Sequence, residues 1–222
     1  MIYAVIPTLN PGEQFAPLLQ DLQSADVRIV VTDGGSERAA IDTALKCGAR
    51  IVSGHKGRGH QLARGADYSG AGDGDWFLFV HADSVLPKNW HGLLTRHIEK
   101  TPNKAACFGF HLDDKGMWPR FVEFWVWLRT IAMDMPYGDQ GLFIRKDLYD
   151  AVGGYDREPL FEDVAIIKRI QGRRLIKLRG NITTDAAKYR RDGYRKRTFS
   201  NLKLAIAYSK GASAQELAEK YR

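Results

Sequence analysis

The chain has 222 residues and a net charge of +7, and 44% of it is hydrophobic against 27% charged. Those values describe a globular protein with enough apolar side chains for a full core, and they exclude disordered, collagen-like and coiled-coil chains. Two cysteines sixty positions apart, Cys47 and Cys107, make neither a CxxC redox pair nor a cysteine-rich zinc site, so a reducing compartment is the simpler expectation.

Short β-branched runs at 2–6, 27–32, 50–53 and 76–80 predict four strands. Apolar residues at helical spacing separate them, such as Phe15, Leu18, Leu19 and Leu22, then Ile41, Ala44 and Leu45. A β-α-β-α-β-α-β series of this kind needs crossover connections, and it predicts an α/β fold with a mostly parallel sheet flanked by helices. After Pro87 the rhythm changes. A helix is predicted over 90–100, a strand over 106–112 and an aromatic helix from Pro119 to Ala132. A strand at 141–145 leads into 146–152, a helix covers 162–171 and an extended run covers 174–178. From Thr198 onward the pattern gives two short amphipathic helices split at Gly211, with Ser213 as an N-cap. No repeat or long linker divides the chain. A single domain is expected, with a nucleotide-binding half at 1–87, an acceptor and catalytic half at 88–185 and a basic helical tail at 186–222.

Charge is unevenly placed. Residues 1–165 carry 17 Lys and Arg against 22 Asp and Glu, whereas residues 166–222 carry 16 against 4. The C-terminal quarter therefore either faces something anionic, such as substrate phosphates, an acidic membrane or nucleic acid, or is a solvated basic surface. The first residues, Met1 to Pro7, lack the basic start and the length of a signal peptide. The strongest apolar stretch, 121–133, is interrupted by Glu123 and Arg129 and falls short of the ~20 residues a membrane span needs. A cytoplasmic location is expected. The helix over 118–133 carries Trp118, Trp125 and Trp127 with apolar residues round most of its circumference, which predicts core. Its alternative role is an acceptor groove or peripheral contact with an anionic membrane face.

In a parallel α/β sheet, ligands bind at the carboxyl ends of the strands, so the residues leaving each strand converge. The four exits read Pro7-Thr8-Leu9-Asn10, Asp33-Gly34-Gly35-Ser36, Gly54-His55-Lys56-Gly57-Arg58-Gly59 and His81-Ala82-Asp83-Ser84. One edge thus collects carboxylates, a Lys and Arg pair in a glycine-rich loop, and two histidines. A nucleoside diphosphate needs such groups: carboxylate for base or ribose, cations for phosphate, acid for a bridging metal. Each motif alone is weak. Asp-Gly-Gly-Ser is first a turn signal, and neither GxGxxG nor a P-loop occurs. Asp83 directly follows the buried run 76–80, which favours a ligand role over a cap. His81 is read as packing or supporting, because a hard divalent ion prefers oxygen.

Taken together these residues resemble family 2 of the GT-A glycosyltransferases, inverting enzymes with a Rossmann-like sheet that use nucleotide sugars. Ile6-Pro7-Thr8-Leu9-Asn10 resembles the family's opening motif, Asp33-Gly34-Gly35-Ser36 its nucleoside-binding turn, and His81-Ala82-Asp83 a variant of its metal-binding DxD. Gly138-Asp139-Gln140-Gly141, Gly153-Gly154-Tyr155 and Glu162-Asp163 are similar to its acceptor-side motifs. Gly57-Arg58 with Gln61 and Gly65-Ala66, together with the run from Val80 to Pro87, is similar to a small bacterial subgroup described as radical-SAM or selenodomain-associated. The resemblance implies a UDP- or GDP-linked donor contacted by Pro7, Thr8, Asn10, Asp33, Gly34, Gly57, Arg58, Gln61 and Ala82. It implies Mn²⁺ or Mg²⁺ held by Asp83, with His81 replacing the first acid of DxD and Asp185 a candidate for a further ligand. It leaves the acceptor undefined. For an inverting transfer it favours Asp163 as the base, with Glu162 and Asp139 as orienting groups or alternatives. An acid opening a helix is also common for dipole reasons alone. The run Lys188-Tyr189-Arg190-Arg191 is either a lid over the diphosphate or a solvated run.

Two other readings compete. A sugar nucleotidyltransferase shares the fold but resembles a glycine-rich signature after the first strand, where this chain has Pro7 to Gly12. A noncatalytic nucleotide- or nucleic-acid-binding module would use the basic tail and have no need of Asp83; nucleic acid is not the expected partner.

Overall fold

The computed structural model describes residues 1–132, 134–170 and 174–220. Met133 and Gln171, at the ends of two predicted helices, lie outside the described residues. The chain opens with β1 (Ile2–Thr8), α1 (Phe15–Ser24), β2 (Arg28–Asp33), α2 (Arg38–Lys46), β3 (Arg50–Ser53), α3 (Arg58–Asp67) and β4 (Trp76–Phe79). These four strands pair in parallel with β1 at the centre of the group. Thr8 is in register with Asp33, and Asp33 with Ser53, so three strands end at one level. Alternation sorts the side chains: Ala4 and Ile6 join one core with Leu19, Leu22 and Leu78, while Val5 joins the other with Leu62, Phe77 and Ile166.

The second half adds β5 (Ser84–Val85), α4 (Trp90–Lys100), β6 (Ala105–Asp113), α5 (Met117–Ala132), a 3₁₀ turn (Gly138–Gln140), β7 (Leu142–Arg145), α6 (Lys146–Ala151), α7 (Glu162–Ile170) and β8 (Leu175–Asp185). The sheet runs β3-β2-β1-β4-β7-β6-β8-β5. β7 is antiparallel to β4 and β6, β5 is antiparallel to β8, and the rest is parallel. The chain ends with α8 (Ala187–Asp192), α9 (Tyr194–Ser209) and α10 (Ala214–Lys220). The N–H of Glu216 donates to Ser213 Oγ at 3.2 Å, which is the predicted N-cap contact. This is the α/β architecture expected, a mostly parallel sheet flanked by helices. Among the described residues no helix is long and apolar enough to cross a membrane.

Four local expectations change. Arg58 opens a helix instead of lying in a loop, because Gly57 at φ 131° supplies the sharp entry. β8 is longer than predicted, because it pairs along β6 on one side and meets β5 on the other. Lys188 to Arg191 lie in a short helix, α8. The aromatic helix is not core: Trp118, Trp125 and Trp127 are 39–46% exposed. Only a narrow stripe of α5 is buried, with Val122 packing against Phe110 and Leu112. Cys47 and Cys107 are both free and buried, and burial pushes the Cys107 thiol up to about 12.

Candidate functional site

The strand exits do converge. Pro7 and Thr8 from β1, Asn10 from the loop after it, Arg58 and Gln61 from α3, and His81, Ala82 and Asp83 beyond β4 line one cavity of about 440 Å³, with Lys188 of α8 on its wall. Gln61 ties it together. Its amide Nε2 donates to Thr8 O at 2.8 Å and Thr32 O at 2.6 Å, while Oε1 accepts the Gly57 N–H at 3.3 Å. The two bonds from Nε2 join the ends of β1 and β2, where Thr8 O also accepts the Gly34 N–H at 2.9 Å. Asn10, at φ 45°, accepts the Glu37 N–H on Oδ1 at 2.9 Å and donates its own N–H to Ser36 Oγ at 2.9 Å, so it braces the loops after β1 and β2.

Asp33, Gly34 and Gly57 do not line that cavity but support its edge. The Asp33 carboxylate accepts the N–H groups of Gly35 and Ser36, both at 2.9 Å. Burial pushes its pKa up, yet the hydrogen bonds from Ser36 and Gly35 and the nearby Arg64 overcome this and hold it below the usual carboxylate range. Arg64 was missed by sequence reasoning. Its guanidinium donates to Asp33 O at 3.2 Å and His55 O at 3.3 Å, closing the loop after β3. An arginine nearly two helical turns beyond Arg58 reads as surface charge until α3 is docked on the sheet.

A second cavity, about 140 Å³, is lined by Arg58, His81, Tyr137, Asp139, Phe161 and Asp163, among others. Arg58 and His81 therefore stand between the two spaces and belong to both. Arg58 pairs with Glu162, whose Oε1 accepts from the guanidinium Nε while Oε2 is buried without a partner. Burial raises the Glu162 pKa against the pull of Arg58, and Asp163 adds to the rise. The approach of α3 to this region depends on Gly59. A Cβ there would lie 2.4 Å from the carbonyls of both Asp156 and Glu158. That close backbone contact is what carries the segment leading to Glu162 up to Arg58.

Asp163 Oδ2 accepts the Gly138 N–H at 2.7 Å, and its Oδ1 accepts the Val164 N–H at 2.7 Å. A Cβ on Gly138 would fall 3.0 Å from His81 Nε2 and 3.3 Å from Asp163 Oδ2, so a side chain here would wedge between them. Burial, with smaller contributions from Arg58 and Lys188, pushes His81 down to about 3, which leaves the imidazole neutral at working pH. Asp139 is brought in by the 3₁₀ turn, which Gln140 anchors through Phe108 O at 3.1 Å and Thr130 Oγ1 at 3.1 Å. Burial, opposed by Arg129 and Arg58 and helped by Asp163, pushes Asp139 up to about 6, and its Oδ1 is buried without a partner. Asp139 and Asp163 thus line one cavity, and Glu162, which does not line it, is joined to it through Arg58; Asp139 and Glu162 each keep an unpaired buried oxygen.

Asp83 forms no ion pair or side-chain hydrogen bond with the described residues. No cluster of three or more His, Cys, Asp or Glu side chains set to hold a metal occurs among the described residues. Pairing of Ser84 with Thr184 places Asp83 and Asp185 one residue beyond the β5–β8 ladder. Asp185 Oδ1 is already engaged by the Ala187 N–H at 2.7 Å and by Arg190 at 2.9 Å. Asp83 would hold a divalent ion through a single carboxylate, which fits Mg²⁺, an ion commonly bound by one or two carboxylates together with substrate phosphates.

Residues 3–144 match the sequence family described as Glycosyl transferase family 2. The chain belongs to that family. Solved structures agree on the fold. The family member is similar to the mannosyltransferase PcManGT from Pyrobaculum calidifontis in complex with GDP-Man and Mn²⁺, at TM-score 0.68 and 16% identity over 96% of this chain and 65% of that one. It is similar to S. aureus TarS 1-349 in complex with UDP-GlcNAc, at TM-score 0.63 and 14% identity, over 83% of this chain and 58% of that one. A third is glucosyl-3-phosphoglycerate synthase from Mycobacterium tuberculosis with Mn²⁺, UDP-glucose and phosphoglyceric acid, at TM-score 0.55 and 15% identity, over 83% of this chain and 71% of that one. The chain thus spans less than two thirds of the length of the first two. A comparison with curated proteins gave no match.

Proposed function

We propose that this family 2 chain is an inverting glycosyltransferase that moves a sugar from a UDP- or GDP-linked donor to an acceptor hydroxyl, with Mn²⁺ or Mg²⁺. The observation that carries the reading is the shared wall of Arg58 and His81, with a cavity of strand-exit residues on one side and Asp139 and Asp163 on the other. Residues 1–87 form the donor half, 88–185 the acceptor half and 186–222 the basic tail. His81-Ala82-Asp83 and Gly57-Arg58 favour the radical-SAM or selenodomain-associated subgroup.

Pro7, Thr8, Asn10, Gln61 and Ala82 bound the nucleotide, with Asp33, Gly34 and Gly57 fixing the loops around it. Arg58 sits at the N-terminus of α3, where the helix dipole and the guanidinium both favour an anion, and Lys188 lines the same cavity. They hold the diphosphate as it leaves. Asp83 would hold the divalent ion, which when bound would neutralise charge on the diphosphate. Asp163 takes the proton of the accepting hydroxyl as its oxygen bonds to the anomeric carbon and the bond to the diphosphate oxygen breaks. Glu162 orients Arg58, and Gly138 keeps the space in front of Asp163 open. The basic tail and the exposed aromatic face of α5 support peripheral contact with an anionic membrane.

Calorimetric titration of UDP and GDP with and without Mn²⁺ tests the reading. The metal is expected to tighten binding by at least roughly tenfold in the wild type and not in Asp83→Ala. Equal affinity with and without metal would remove the metal role, and no nucleotide binding at all would overturn the donor assignment.

A further inference from the structure

A third cavity, about 400 Å³, lies between α5, α7 and α9. Its walls are almost wholly apolar, including Trp125, Leu128, Met135, Val164, Leu202 and Ile206. It adjoins the catalytic space, because Tyr137 and Phe161 line both. Phe161 is held at φ 64°, a strained conformation for a bulky residue, and stacks on Tyr208 with centroids 4.6 Å apart. It directly precedes Glu162 and Asp163. At the boundary Arg129 covers the Tyr137 ring at 3.3 Å, and Lys168 lies 5.3 Å from the Tyr208 ring centre, so cations rim an otherwise oily space.

The outer mouth continues this character. Phe121, Phe124 and Trp125 on α5 and Phe199, Leu202 and Ile206 on α9 are 38–63% exposed. Large apolar side chains left exposed on two neighbouring helices mark a candidate binding face. The surrounding C-terminal quarter is the strongly basic part of the chain.

From these observations we infer that the cavity between α5, α7 and α9 holds the hydrocarbon chain of an amphiphilic acceptor, whose head presents its hydroxyl to Asp163 past Tyr137 and Phe161. The inference rests on the transferase reading and names the acceptor class for it. An apolar cavity beside a hydroxyl-activating acid suits a molecule with one oily and one polar end, and a wholly polar acceptor would leave the cavity unused. The acceptor oxygen bonds to the anomeric carbon, its proton goes to the Asp163 carboxylate, and the electron pair of the broken bond leaves with the diphosphate.

The probe is glycerol monolaurate below its micelle concentration, followed by calorimetry and tryptophan fluorescence, with mass spectrometry for its glycosylated product. Saturable binding is expected in the wild type. Ala205→Trp, which fills the cavity, and Leu202→Glu, which charges its half-exposed mouth, should each weaken it by at least roughly tenfold. UDP or GDP affinity and donor hydrolysis should stay within about twofold in both variants. Normal nucleotide binding without monolaurate binding, or binding that neither variant weakens, overturns the inference and leaves the transferase reading standing. Monolaurate binding in a protein that binds no nucleotide overturns the transferase reading, and with it the acceptor role. A concentration-dependent dimer that Leu202→Glu dissociates would assign the cavity to a second copy and also overturn it.

Discussion

Arg58, the first residue of α3, and Glu162, the first residue of α7, form an ion pair across 104 positions of chain. Glu162 is 1% exposed and Arg58 37%, so the acid is the buried partner and the arginine joins it to the donor cavity. This contact couples the two halves of the site. Arg58→Ala leaves a buried, unpaired carboxylate, and it should cost about 1–3 kcal/mol in urea unfolding as well as weakening nucleotide binding. Glu162→Gln keeps a hydrogen-bonding oxygen and should cost less. An Arg58→Ala protein as stable as the wild type would show that the pair contributes nothing to the fold.

If Asp163 removes the acceptor proton, Asp163→Asn should lower the transfer rate by ~10²–10⁴-fold while nucleotide affinity is retained. The single amide oxygen can still accept the Gly138 N–H but not the Val164 N–H as well, so the unfolding midpoint is measured beside the rate. Donor hydrolysis and acceptor transfer, run beside calorimetry, check this. A comparable collapse in Glu162→Gln with Asp163→Asn nearly active would move the base to Glu162.

Asp139, raised to about 6, binds its proton more tightly in the folded chain than in the unfolded chain. Stability should therefore fall as pH rises from about 4 to 6, because the native state holds more protons in that window. Asp139→Asn should remove this slope and be the more stable protein at pH 7, by on the order of 3 kcal/mol for a shift of this size. Unfolding midpoints between pH 4 and 8 measure it, and parallel curves for the two proteins would refute it.

Asp33 has the opposite sign. Its pKa is held below the ordinary value, so its contribution to stability is present above about 4 and is lost as pH falls through the folded pKa. Asp33→Ala should destabilise the chain by about 1–3 kcal/mol at pH 7, since two turn amides lose their acceptor, with the deficit shrinking in acid. A variant of unchanged stability that binds nucleotide poorly would instead give Asp33 a direct ligand contact.

Flotation with vesicles tests membrane contact. The wild type should bind vesicles rich in anionic lipid, less so as salt rises, and not neutral ones. Phe121→Ser with Phe124→Ser should reduce this binding several-fold without changing nucleotide affinity. Equal binding to neutral vesicles would remove the role of the basic tail.

The first four strands and the convergence of their exits were legible because periodicity is local: a β-branched run between helical patterns is buried in a parallel sheet, and its carboxyl end faces the ligand edge. So Pro7, Thr8, Arg58 and Asp83 could be placed from sequence order alone. Arg58 on a helix, the pair Ser84–Val85 as a strand and α8 depended on neighbours distant in sequence. The aromatic helix misled for the same reason. Trp118, Trp125 and Trp127 have a composition suited to burial, but only packing partners decide burial, and α5 has β6 along just one stripe.

The sequence by itself determined the α/β class, the family motifs and which residue types could bind a nucleotide or move a proton. Only the tertiary structure decided that Asp33 caps its own turn, that Gln61 ties strand ends, that Arg58 meets Glu162 and that Asp139 is raised. The physical reason is range. Propensity and periodicity act over a few residues, whereas desolvation, ion pairing and close backbone approach act between groups brought together by the fold, such as Gly59 against Asp156 and Glu158 or Gly138 between His81 and Asp163.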